Sequence, residues 1–237
     1  MIKVFALIFL SVIGLLPTNV VQAASERGES DFAQRRDRLV EKYPGLLDKN
    51  LKSENTAILC PFLRMLTRAG IVDENGETDS EVLVSIIKIA SKAREFGCSV
   101  IGCGGVATAV SAGQLTQGAT DVGKVNLTAL HEAVGIAHEC GLGFAFGGTT
   151  TDATVIAQTL DQLSMRADEL GRITFEDLEN VKLQRCEEQG VEISTPGATE
   201  IKLIFGFLGG NTRGFIEVSD VRRFFTGKLP LTIGNPI

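Results

Sequence analysis

Cys60 stands directly before Pro61-Phe62-Leu63-Arg64-Met65-Leu66-Thr67-Arg68-Ala69-Gly70. The apolar residues at 62, 63, 66 and 69 predict a helix, with Pro61 in its first turn and Gly70 at its C-cap. A cysteine there faces backbone N–H groups and the positive end of the macrodipole, which favours thiolate, a nucleophile or metal ligand. The bland alternative is a disulfide or a buried thiol. Glu200 sits in the run Ala198-Thr199-Glu200-Ile201-Lys202-Leu203-Ile204-Phe205. A carboxylate beside a buried face has a raised pKa and can move protons near neutral pH. It could equally point to solvent or pair with Lys202.

His131 and His138 are the only histidines, seven residues apart and so able to share one helix face. With Glu139 and Cys140 they could form the site of a small zinc hydrolase, although the spacing matches neither HExxH nor HxxEH. A hydrogen-bonded or exposed histidine is the alternative. Gly102-Cys103-Gly104-Gly105-Val106-Ala107 fits GxGxxA. A dinucleotide fingerprint needs a preceding strand and a βαβ unit, and a predicted helix occupies that place, so the match is read as false.

These residues need elements to hold them. Helical spacing covers Ser80 to Phe96, about 105–113, Leu127 to about His138, and 153–169. Thr174-Phe175-Glu176-Asp177 opens a capping-box-like helix to about Gln189, and Ser219 to Phe225 begins a last short one. Asp73-Glu74-Asn75-Gly76 reads as a turn, and Thr199 to Leu208 is apolar apart from Glu200 and Lys202. Strand-type alternation is scarce, which predicts a mainly α, single-domain helical bundle.

Residues 1–23 combine Lys3, an apolar run from Val4 to Leu16, Pro17, and Val21-Gln22-Ala23. That pattern predicts a signal peptide and a secreted protein with no membrane span in its mature form. Residues 24–54 read as a charged lead-in, exposed over 24–42 with a helical turn or two, and 55–237 as the folded domain. The 44% hydrophobic content excludes wholesale disorder, and the net charge of -6 argues against a nucleic-acid partner. Five cysteines in an oxidising compartment leave at least one unpaired. Cys98, Cys103, Cys140 and Cys186 allow three connectivities, and the short glycine-containing loop favours Cys98–Cys103. Asn126-Leu127-Thr128 is an N-glycosylation triplet, which would make a eukaryotic chain a glycoprotein.

Taken in order, the motifs resemble the secreted heme-thiolate peroxidases, the chloroperoxidases and unspecific peroxygenases, in particular the short members. Leu59-Cys60-Pro61 approximates the family's Pro-Cys-Pro, and Ala137-His138-Glu139-Cys140-Gly141 aligns with Glu-His-Asp-x-Ser. Gly197-Ala198-Thr199-Glu200 aligns with the motif that ends in a glutamate. Ile173 to Arg185 resembles a later helix, and Phe224-Phe225 to Leu229-Pro230 the closing pattern, over roughly residues 55–233.

The resemblance implies a helical peroxidase-type bundle holding heme b, with Cys60 as the axial thiolate of the iron. It implies hydrogen peroxide and a small organic molecule as substrates. Glu200 would be the acid–base that moves a proton between the peroxide oxygens, and His138 would hold it in place. Phenylalanines, thirteen in the chain, could line a pocket for small apolar molecules. The chain departs from the family at Ala137, Glu139 and Gly141. The lost carboxylate and hydroxyl put an octahedral magnesium site in doubt, with Glu139 as its remnant. Retained fold with lost chemistry, a non-catalytic secreted binding protein, is the competing expectation.

Overall fold

The computed structural model describes residues 32–47, 51–79, 124–128, 138–145 and 147–234, and it is mainly helical. Helix α1 (residues 32–42) leads into a 3-10 turn at Pro44–Leu47. Helices α2 (Pro61–Arg68), α3 (Ala153–Arg166), α4 (Phe175–Glu188), α5 (Thr195–Phe207) and α6 (Val218–Phe225) follow, with a single turn at Gly210–Arg213 before α6. Two short antiparallel pairs complete the described elements. Strand β1 (Glu77–Asp79) pairs with β2 (Lys124–Asn126), and β3 (Arg172–Ile173) pairs with β4 (Ile216–Glu217).

The helices begin where side chains can satisfy their first amides. Asp152 accepts from the N–H groups of Thr154 and Val155 to start α3. Thr174 and Asp177 form the expected capping box of α4, and Ser194 accepts from Gly197 N to start α5. At the other end of α2, Gly70 adopts φ 72°, as the C-cap reading required, although the helix stops at Arg68. Gly76 has φ 83° in the predicted turn, where Asp73 accepts from Asn75 N and Glu77 N.

The core gathers one face of each long helix. Helix α4 packs between α3 and α5, while α6 packs on α3 and α2. Leu66, Leu163, Leu178, Val181, Leu208 and Val221 are buried together at its centre. The lead-in differs from its expected exposure: Phe32, Arg35 and Leu39, at i, i+3 and i+7, are buried, and Leu39 belongs to the core. Ten charged residues in residues 24–42 mask an apolar stripe that is narrow but correctly spaced for a helix.

Buried charge holds the frame. Arg64, fully buried on α2, donates from Nη2 to Phe225 O at 2.7 Å, and its Nη1 lies 3.0 Å from Glu54 Oε1. Those bonds tie the segment before Cys60, α2 and the end of α6 into one unit. Asp220, also fully buried, accepts from Leu231 N and Thr232 N and fixes the closing segment. The signal peptide, the helices expected over 80–96 and 105–113, His131, Cys98, Cys103 and the GxGxxA segment lie outside the described residues, as does most of the helix expected over 127–138.

Candidate active site

One face of α4 positions most of the site. Lys182, Arg185, Cys186 and Gln189 recur there at helical spacing. Cys186 is disulfide-bonded to Cys140, 46 residues away. Arg185 Nε donates to Gly141 O at 3.2 Å, and Gln189 Oε1 accepts from Cys140 N at 3.1 Å. From α3, Thr159 donates to Leu142 O at 2.8 Å. The loop carrying His138 is thus fixed covalently and by three hydrogen bonds to two core helices.

His138 is oriented from the same loop. The Phe144 ring packs edge-on against the imidazole, with centroids 5.4 Å apart. A Cβ built on Gly141 would fall inside that ring, so glycine is what lets Phe144 fold back under His138. Gly141 thus gives the space for an aromatic support.

Helix α5 brings Glu200 to this loop. His138 Nε2 lies 3.2 Å from Glu200 Oε2, so the structure brings together two residues that the sequence singled out 62 positions apart. It also brings a third that the sequence reading missed. Lys182 Nζ lies 2.7 Å from the same Oε2, with its side chain fully buried. Gly197, on the first turn of α5, leaves room for that lysine: a Cβ there would stand 3.3 Å from Lys182 Cε. Lys202, the neighbour in sequence, is exposed instead.

Two expectations about protonation are corrected. Burial alone would raise Glu200, but the Lys182 charge and the hydrogen bond and charge of His138 outweigh it, and the carboxyl falls to about 2. Glu200 is an ionised, ion-paired carboxylate. Cys60 is the N-cap of α2, as expected, and it is a free, solvent-accessible thiol. Loss of water around the anion raises the thiol. The amides of Leu63 and Phe62 and the charge of Arg64 pull it down without prevailing, and the Glu200 carboxylate adds to the rise. The helix terminus alone does not make a thiolate here.

The segment before Cys60 is joined to the His138 loop, because Thr151 N, at the end of that loop, donates to Thr56 O at 2.7 Å.

Metal sites fare differently. Glu139 is exposed and accepts from Gly147 N at 3.3 Å. Among the described residues no group of three or more His, Cys, Asp or Glu side chains could hold a metal ion. The zinc reading loses Cys140, whose sulfur is in the disulfide and cannot ligate as a thiolate. Asn126 Oδ1 accepts from Thr128 N and Thr128 Oγ1 within the glycosylation triplet. Among the described residues, no helix is long and apolar enough to cross a membrane. Compared with known proteins, the chain matches no family model and no curated protein sequence.

Proposed function

We propose that the protein is a secreted heme-thiolate peroxidase or peroxygenase that uses hydrogen peroxide to oxidise or oxygenate small organic molecules. The observation that carries this reading is the ionised Glu200 held by His138 and Lys182, in a chain that also leaves Cys60, at the N-terminus of α2, a free and accessible thiol. The donor set fits heme b held through Cys60. The sulfur is outside the disulfide, reachable, and short of the positive charge that would let it ionise. Cys60 would hold the iron through its sulfur in place of the thiol proton, and heme b would supply the electron-rich centre for cleaving an O–O bond.

The chain's own residues handle the proton. In the oxygenation R–H + H2O2 → R–OH + H2O, the O–O bond breaks, one oxygen enters the product and the other leaves as water. Glu200, ionised at neutral pH, takes a proton from one peroxide oxygen and returns it to the oxygen that leaves. His138 holds the carboxylate, and the Cys140–Cys186 disulfide and Phe144 hold His138. Magnesium has no part in this reading.

A second reading, a secreted binding protein that keeps the fold without the chemistry, draws on the tight Lys182–Glu200 pair, which makes Glu200 a weaker base. The ferrous–CO spectrum of the purified protein tests the first reading, which expects the long-wavelength Soret band of a thiolate ligand. No heme, or the band of a histidine-ligated heme, sinks it. Thiolate-ligated heme that is inert toward peroxide with several substrates selects the second reading.

A further inference from the structure

A lysine with no exposed side-chain surface is rare unless it is paired. Lys182 is such a residue, and its place in the fold is specific. It leaves α4 on the face that also carries Arg185 and Cys186, crosses to α5 over Gly197, and ends 2.7 Å from Glu200 Oε2. His138 approaches the same oxygen at 3.2 Å. Both contacts fall on Oε2. We propose that Lys182 is the positioning residue of the proton-transfer carboxylate: it locks Glu200 Oε2 and leaves Oε1 as the oxygen that exchanges protons with peroxide.

This inference rests on the peroxidase reading and adds to it. A carboxylate on a helix can rotate about its last torsion and present either oxygen. The lysine hydrogen bond on Oε2, with the imidazole 3.2 Å from the same oxygen, removes that freedom, which converts a mobile base into one held for transfer. The groups that lie against Glu200 Oε2 are Lys182 from α4 and His138 from its loop. The Lys182 charge is the largest of the influences that oppose burial at Glu200, so the lysine is what keeps the carboxylate ionised.

The test uses the full mature chain, with and without heme. Carbon-13 carbonyl resonances or infrared difference bands, assigned by subtraction of Glu200→Gln, follow Glu200 directly in the heme-free protein. In the wild type the carboxylate should persist to about 2, and in Lys182→Met it should titrate clearly higher because His138 alone is left to oppose burial. His138→Gln should move it less. Gly197→Ala, which presses on Lys182 Cε without removing charge, offers a milder variant should Lys182→Met fail to fold; it should blunt turnover at peroxide saturation while the carboxylate stays ionised. In the heme-loaded enzyme, Lys182→Met should shift the acid limb of turnover upward. An unchanged Glu200 titration in Lys182→Met, or Gly197→Ala turnover equal to wild type, overturns the role of Lys182 while the thiolate–CO band stands. Absence of that band in the wild type overturns the peroxidase reading itself, and the transfer role with it.

Discussion

Glu200 and Cys60 meet the same penalty and end on opposite sides of it. Each is an acid crowded by protein, and for each the loss of water is the largest influence, favouring the neutral form. At Glu200 an ammonium at 2.7 Å and an imidazole at 3.2 Å reverse the outcome. At Cys60 the opposing groups are two amide dipoles and a guanidinium, Arg64, that already faces Glu54 at 3.0 Å. Helix-terminal dipoles and a shared charge do not substitute for a direct ion pair. The α4–α5 wall is electrostatically closed, whereas the N-terminus of α2 is short of a cation.

The comparison breaks most sharply at the closed wall. Glu200→Ala strands the buried Lys182 and should cost about 3–5 kcal/mol of stability, read from urea unfolding. The double variant Lys182→Met with Glu200→Leu removes both charges and should recover most of that loss. A double variant as unstable as Glu200→Ala would mean that packing around α4 and α5, rather than a stranded charge, sets the cost.

Acid sharpens the same point. The folded-state pKa of Glu200, about 2, lies below its ordinary 4.5, so its pairing stabilises the protein fully above that ordinary value. The contribution fades as pH falls from roughly 5 toward 2 and amounts to roughly 3 kcal/mol. Between pH 6 and pH 2 the wild type should therefore lose roughly that amount of unfolding free energy relative to the charge-free double variant. Parallel curves would show that Glu200 is not ion-paired in solution.

Much of the frame was legible in the chain. The bounds of α2, α3 and α4 follow apolar periodicity and their caps, because those signals are local and the core confirms them. Helix α1 was hidden by its charge, although Phe32, Arg35 and Leu39 keep the right spacing. Lys182 was not legible at all. A lysine on a charged helix ordinarily faces water, and its partner lies 18 residues away, on another helix. Lys202 looked like the nearer partner, yet two residues along a helix differ in direction by about 200°, which places Glu200 and Lys202 on opposite faces. The Cys140–Cys186 pair was legible only indirectly, as what remains of the four cysteines once the short loop favours Cys98–Cys103.

The smallest expected effect lies at the open wall, and it has the opposite sign. Cys60 occupies the N-cap of α2 with φ -69° and ψ 119°, yet its side chain makes no cap hydrogen bond. Serine is among the best residues for that position because its hydroxyl accepts from a first-turn amide. Cys60→Ser should therefore leave stability unchanged or raise it by about 0.5–1 kcal/mol, measured by thermal or urea unfolding of the heme-free protein. The same substitution should abolish the thiolate–CO band. A residue that caps poorly, carries a penalised acid and stays accessible is a local choice against stability, the pattern expected where a sulfur is kept for its chemistry. A loss of more than 1 kcal/mol in Cys60→Ser would instead assign the sulfur to packing and remove the contrast with Glu200.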